Sequence, residues 1–352
     1  MNTPEVPLSI LDLAVVGRDD SVADALHATV DLARAAEVRG YRRIWYAEHH
    51  NIASIASSAT AVLIAHVAAH TERILLGAGG IMLPNHAPLV IAEQFGTLAT
   101  LHPGRIELGL GRAPGTDRVT LRALRRELDA AETFPQDVIE LHGYLAGQGR
   151  VPGVAAIPGA GTEVPLWILG SSLFGAELAA RLGLPYGFAS HFAPAQLTQA
   201  VSLYRTLFEP SAHLDRPHVM AGVNVVVAPD GDEAEAMAVD VRRRRVASFL
   251  LRGSGDDRRL DDDELDALVR SPQGHQITAM MRHTAVGTPE RVRVGLEDFA
   301  SYAGADELMV VLNATTIEAR RRSVDLLADA YGDEDAGADI DGAPGGALGS
   351  VS

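Results

Sequence analysis

The strongest constraint on this chain is an alternation: eight short β-rich runs are each followed by a connection long enough to hold a helix. The runs are LSILDLAVV (8–16), RRIWYA (42–47), RILLGAG (73–79), RIELGL (105–110), PLWILG (165–170), PYGFAS (185–190), VMAGVNVVVA (219–228) and ELMVVL (307–312). Antiparallel strands can be joined by tight hairpins, whereas parallel strands need a long crossover, so these connection lengths select parallel β-α units. Eight units in 352 residues fit a TIM (β/α)8 barrel with insertions, for which about 250 to over 400 residues is usual. A doubly wound sheet is the alternative. It would carry a glycine-rich turn after the first strand, and that strand ends AVVGRDDS with a single glycine.

Helix signals occupy the connections. Ser21 reads as an N-cap, with Val22, Leu26, Val30 and Ala33 on one face and Gly40 as the stop. Further starts are predicted at Asp232 with Glu235, at Thr288 before Pro289, and at Thr315 with Glu318 in a capping-box pattern. Two regions break the rhythm. Residues 252–289, after the seventh strand, form a charged, glycine-containing insertion that reads either as an active-site lid or as a solvated helical excursion. From residue 333 to 352 the chain is poor in apolar residues and rich in glycine and acid, and is expected to be a disordered tail. The expectation is one domain over 1–332.

Composition removes several functions. There is no cysteine, hence no disulfide, thiolate metal site or thiol nucleophile, and every basic residue is arginine. A net charge of -16 argues against nucleic acid or an anionic membrane as partner. No apolar run approaches a membrane span, and the N-terminus lacks the pattern of a signal peptide, so a cytoplasmic protein is expected.

In a barrel of this kind the chemistry lies at the C-terminal strand ends. Glu48-His49-His50-Asn51 follows the second run, GGIMLPNHAP the third, GRAPGTD the fourth and GSSLFGAEL the fifth. Ser171 and Ser172 lie between a strand and a helix, where backbone N–H groups and hydroxyls can cradle a phosphate or simply cap the helix. Arg112 could supply the opposing charge. Gly79-Gly80 allows close backbone approach to a flat ligand, or marks only a tight strand exit. The Glu48-His49-His50 cluster permits a metal site, acid–base work beside a flavin or carbonyl, or a structural histidine. His66 and His70 have the spacing of half a zinc site but lack the HExxH pattern. No GxSxG elbow and no GxGxxG turn occur. The run Arg242 to Arg245 falls within a predicted helix, points around its axis and reads as a solvated face.

Taken in order, AEHHN, GAGGIMLPNHAPLVIAEQFGTLATLHPGRIELGLGRAPGTD, WILGSSLFGAELAARLGLP and VGTPERV…GADELMVVL resemble the bacterial luciferase-like family of flavin-dependent monooxygenases. The resemblance implies a TIM-type barrel that takes reduced FMN from a separate reductase and oxygenates a small organic substrate with molecular oxygen through a flavin C4a-hydroperoxide. It places His49 as the catalytic histidine, with Glu48 beside it and His50 as support. It makes Gly79-Gly80 a pair joined by a cis peptide beneath the flavin ring, and Arg112, Ser171 and Ser172 the phosphate contacts. No metal is implied, and a homodimer is compatible with the family. Gly111 stands where luciferase has a reactive cysteine, and Ser171 where it has an acid, which argues against light emission from a long-chain aldehyde. The same family includes enzymes that transfer hydride with a deazaflavin, and non-catalytic flavin-binding or partner subunits.

Overall fold

All eight expected runs form strands in the computed structural model, which describes residues 6–17, 19–113, 115–251 and 260–331. They are β1 (Leu8–Asp12), β2 (Arg43–Tyr46), β3 (Leu75–Met82), β4 (Ile106–Gly111), β5 (Leu166–Gly170), β6 (Tyr186–Phe188) and β7 (Val219–Val227), followed by β8 (Thr284–Gly287) and β9 (Glu307–Leu312). The strand not foreseen is β8, which lies inside the insertion. Strands β1 to β7 and β9 pair in parallel around a closed ring, sealed by β6 against β7 and by β9 against β1. β8 stands outside that ring. It pairs with Asn224 to Val227 of β7, on the same edge where β6 has already paired with Val219 to Ala221.

The remainder of the insertion folds into helices Asp262–Arg270 and Pro272–Met280, packed on the helix Gly231–Leu250 that leaves β7. Arg243 fastens the first of them through Asp262 at 3.0 Å and Asp266 at 2.7 Å. Residues 252–259, and the expected tail at 333–352, lie outside the described residues. No described helix is long and apolar enough to cross a membrane.

Caps fix the helix starts. Ser21 Oγ accepts from the Asp24 N–H and the Asp24 carboxylate accepts from the Ser21 N–H, a reciprocal cap that begins Val22–Val38. Val22, expected on its buried face, is exposed; Ala25, Ala28, Leu32, Ala33 and Ala36 face the sheet instead. Two other starts are displaced from expectation. The helix after β7 is capped by Asp230, whose carboxylate accepts from the Glu233 N–H, and the last helix, Ile317–Tyr331, starts at Thr316, which accepts from the Ala319 N–H. In both, another capping residue within two positions takes the bond.

The barrel interior is filled unevenly. At the N-terminal end, Arg43 is 2% exposed and meets Glu107 at 2.5 Å and Glu307 at 2.8 Å. Ser9 Oγ also donates to Glu307, Trp45 Nε1 donates to Glu107 at 3.1 Å, and the Trp167 ring lies 4.8 Å from the Arg43 guanidinium. Burial raises the pKa of Glu307, but the Arg43 charge and the hydrogen bonds outweigh it and hold the carboxyl at about 2. Above this plug lie Leu11, Met220, Met309 and Val311. Glycine recurs along these strands, Gly77 in register with Trp45 and Glu107 of the plug, and Gly79 with Gly109 two residues further on. A Cβ on Gly77 would sit 2.6 Å from Trp45 Nε1, and one on Gly109 2.3 Å from the Ala78 carbonyl oxygen.

Removing one member of such a network strands the others as buried charges. Arg43→Met is expected to lower unfolding free energy by about 3–5 kcal/mol, measured by urea denaturation; a loss below about 1 kcal/mol would show that the plug is not holding the barrel.

Candidate functional site

The β2 exit delivers a carboxylate that is committed on both oxygens. Glu48 is 1% exposed. Its Oε1 accepts from His50 Nε2 and from His86 Nε2, each at 2.8 Å, and its Oε2 accepts from the Met82 backbone N–H at 3.0 Å. An ionised carboxylate only accepts, so both imidazoles carry hydrogen on Nε2. Burial pushes the Glu48 pKa up; the two histidine bonds and the Met82 N–H more than offset it and hold the group at about 2. The acid is therefore a fixed anion that orients two rings.

His49 takes the opposite direction. Its backbone N–H donates to the Ser57 carbonyl at 3.3 Å, and its half-buried side chain bears on His191 across the mouth. His191 follows β6 and lies directly on Gly222 of β7, where a Cβ would fall 2.3 Å from His191 Nδ1. Asn224 Nδ2 holds the His191 carbonyl at 2.6 Å, and Asn313 Nδ2 donates to Asn224 Oδ1 at 3.0 Å. Burial first, then the charge of Arg245, then His49, push His191 down to about 3, so its ring is neutral at any physiological pH.

Between these walls lies the Gly79-Gly80 pair, joined by a cis peptide as the family resemblance implied. A Cβ on Gly79 would approach Leu11 Cδ1 to 2.7 Å, and one on Gly80 would approach the Gly109 carbonyl oxygen to 2.7 Å. Backbone excludes a Cβ at Gly80, Leu11 and Trp45 crowd one at Gly79, and the floor the pair forms has no side chain. Gly111 is similarly confined, since a Cβ there would lie 3.0 Å from Met82 Sδ.

The third wall comes from β4 and β5. Ser172 occupies the N-cap of helix Leu173–Arg181 yet makes no side-chain capping bond, so the N–H groups of the first turn stay available to a ligand. Ser171 precedes it, half-buried. Arg112 reaches over from β4 and lays its guanidinium 4.1 Å from the centre of the Phe174 ring. Cation–π contact positions that charge without neutralising it.

All seven residues singled out from the sequence thus lie at the C-terminal strand ends of one ring, with Glu48, Gly79-Gly80, Arg112 and the serines on consecutive strands β2 to β5. His66 and His70 lie elsewhere: their rings are 4.8 Å apart on a helix flank, and His70 Nδ1 donates to the His66 carbonyl at 2.7 Å. Sequence reasoning missed His86, His191 and Asn224. His86 stood in the quoted third exit, PNHAP, but its pairing with Glu48 spans 38 residues. The arginine run was also read too uniformly. Arg242 is exposed, Arg243 and Arg244 are ion-paired, and Arg245 is half-buried.

Comparison with known proteins places this geometry. The sequence model of the family described as luciferase-like monooxygenase matches residues 6–307. A luciferase-like monooxygenase of Escherichia coli (strain K12) is 44% identical over 330 residues, 94% of this chain and 98% of that protein. The Bacillus subtilis (strain 168) protein YvbT is 47% identical over 327 residues, 92% of this chain and 96% of its own. The crystal structure of apo-MsnO8 superposes with a TM-score of 0.81 at 34% identity, covering 93% of this chain and 98% of that one. More distant structures share the fold alone. One is the oxygenating constituent of 3,6-diketocamphane monooxygenase of Pseudomonas putida in complex with FMN, at 14% identity and TM-score 0.64, covering 94% of this chain and 97% of that one. Another is an F420-dependent secondary alcohol dehydrogenase, at 15% and 0.66, covering 93% and 98%. With a family match across most of the chain and relatives matched almost end to end, this protein belongs to the luciferase-like monooxygenase family.

Proposed function

We propose that this protein is an FMN-dependent monooxygenase, an oxidoreductase that uses reduced FMN and molecular oxygen to oxygenate a small organic substrate. The observation that carries the reading is a helix start ready for phosphate, with Arg112 above it, on the same rim as a side-chain-free glycine floor. Phosphate belongs on the first-turn N–H groups and the serine hydroxyls, and a planar ring belongs on the floor. These residues fit the cofactor: the cis-linked Gly79-Gly80 floor offers bare backbone to a planar ring, and the helix start after Ser172 carries no side-chain cap.

Bound reduced FMN would supply the electrons that activate oxygen. The chain's own part is positioning, proton control and exclusion of water. His49, half-buried on the rim beside the floor, takes and returns the proton. Glu48 stays ionised and positions His50 and His86, so the proton held at His49 is not lost to a nearby acid. The described part of the insertion, residues 260–289, is fastened to the helix after β7 through Arg243 and serves as the lid. Reduced flavin comes from a separate reductase in the cytoplasm. A deazaflavin reading of the same cradle is tested by titrating the protein with FMN and with the deazaflavin in parallel.

Arg112→Ala is expected to weaken FMN binding at least tenfold, read by flavin fluorescence quenching; unchanged affinity removes Arg112 from the phosphate site. His49→Ala should retain FMN while flavin-dependent oxygenation falls by about 100-fold or more, and full turnover in that variant would sink its assignment. Glu48 supplies a pH test. Its folded pKa of about 2 lies below the ordinary 4.5, so its stabilisation is complete above pH 4.5 and disappears as pH falls toward 2. The difference in unfolding free energy between wild type and Glu48→Gln should shrink by about 3 kcal/mol across that window; a difference that does not change with pH would contradict the fixed anion.

A further inference from the structure

The inner face of β3 ends in a sulfur. Side chains of a strand alternate between its two faces. Ile81 is buried in the main core between strands and helices, so Met82 points the other way, into the barrel mouth. Its register partner is Gly111 of β4, just past the irregularity between Gly79 and Ile81. Gly79 and Gly80 carry no side chain, which makes Met82 the first side chain on this face of β3 above the bare floor. The thioether lies against the β4 exit: a Cβ on Gly111 would sit 3.0 Å from Met82 Sδ, and one on Gly115 would sit 3.1 Å from Met82 Cγ. The residue is half-buried, and its backbone N–H is tied to Glu48 Oε2 at 3.0 Å.

The other described methionines stand elsewhere. Met220 and Met309 are buried above the plug, and Met237 is buried against β7. Met280 and Met281 are half-buried at the end of the helix Pro272–Met280 in the insertion. Among the described methionines, Met82 alone is both partly open and next to the glycine pair. Peroxide converts a thioether to a sulfoxide, which turns a flexible apolar side chain into a polar one.

We propose that Met82 is an oxidation site, modified by hydrogen peroxide formed in its own mouth, and that its sulfoxide closes the cofactor site. The inference rests on the flavin reading, which supplies the oxidant. Reduced FMN gives two electrons and two protons to oxygen, and with no substrate to oxygenate the product is hydrogen peroxide. The Met82 sulfur lone pair attacks one peroxide oxygen, and the S–O bond forms as the O–O bond breaks. The proton on the bound oxygen passes to the departing hydroxide, which leaves as water. Sulfur is oxidised by two electrons and the peroxide is reduced by the same two. The new oxygen is a hydrogen-bond acceptor in a space already walled by Gly111 and Gly115. Turnover without substrate thereby shuts the site, and reduction of the sulfoxide reopens it.

The test uses the full chain and FMN reduced over palladium under hydrogen, mixed with aerated buffer in the dark for repeated cycles. Catalase is present to remove peroxide that escapes, and peptide mass spectrometry reads the oxygen added at each methionine. Met82 should be oxidised faster than Met280 and Met281 by about tenfold or more. That preference should vanish when hydrogen peroxide is added without FMN or catalase. The FMN affinity of the cycled protein, read by flavin fluorescence quenching, should fall by about fivefold or more and recover after treatment with methionine sulfoxide reductases. It should stay unchanged in cycled Met82→Leu, which keeps the side-chain volume and lacks the sulfur. Met82 left unoxidised while FMN binds, the same preference with added peroxide alone, or undiminished FMN affinity in protein oxidised at Met82 would each overturn the assignment and leave the flavin reading standing. Failure of FMN to bind the untreated wild type would overturn the flavin reading and this assignment with it.

Discussion

Closure of the sheet is the constraint from which the remaining features follow. Once β6 meets β7 and β9 meets β1, no strand of the ring has a free edge, every ring backbone is committed to its neighbours, and the enclosed volume must be filled or used. The chain does both along one axis. Large groups, Trp45, Trp167 and the Arg43–Glu107–Glu307 ion pairs, solidify the N-terminal end. Gly79, Gly80 and Gly109 leave the upper part of the same strands bare, where each missing Cβ would strike backbone or a neighbouring side chain. A barrel built this way has only one end at which a flat molecule can enter.

The rim of that end is divided by sector. Glu48, with two imidazoles on one carboxylate, spans the β2 and β3 exits; Arg112 and the open helix start after Ser172 occupy β4 and β5; His191 and Asn224 occupy β6 and β7. The sectors differ in charge: a fixed carboxylate holding two imidazoles, then an arginine beside an open helix start, then a neutral buried imidazole. The parts are electrostatically distinct although they converge on one mouth.

Eight of the nine strands were legible because parallel strands covered on both faces are continuous apolar runs, and that pattern is local. β8 was not, since Thr284–Gly287 is four residues long, only partly buried, and gains its identity by pairing with β7. Cap positions were readable to within two residues where acids or hydroxyls compete, as Asp230 and Asp232 do. At the site, Glu48, His49, the glycine pair, Arg112 and the serines stood out through strand-end position and family resemblance. The partners of those residues did not. His86 and His191 acquire meaning from contacts with distant strands, and a run of four arginines contains no sign of which ones pair with acids of the insertion and which stays exposed.

β7 is the strand on which this division hinges. Its lower half is a stave of the ring, locked to β6, whereas its upper half carries β8 and so belongs to a short second sheet edge that the insertion completes. Asn224 sits at that changeover and holds both the His191 and the His283 carbonyls, at 2.6 and 3.4 Å. The β8 edge is thus an attachment hung on the barrel, outside the hydrogen-bonded hoop. Length and sequence between β7 and β9 can vary without opening the hoop, so the rim on that side can be rebuilt while the staves stay where they are.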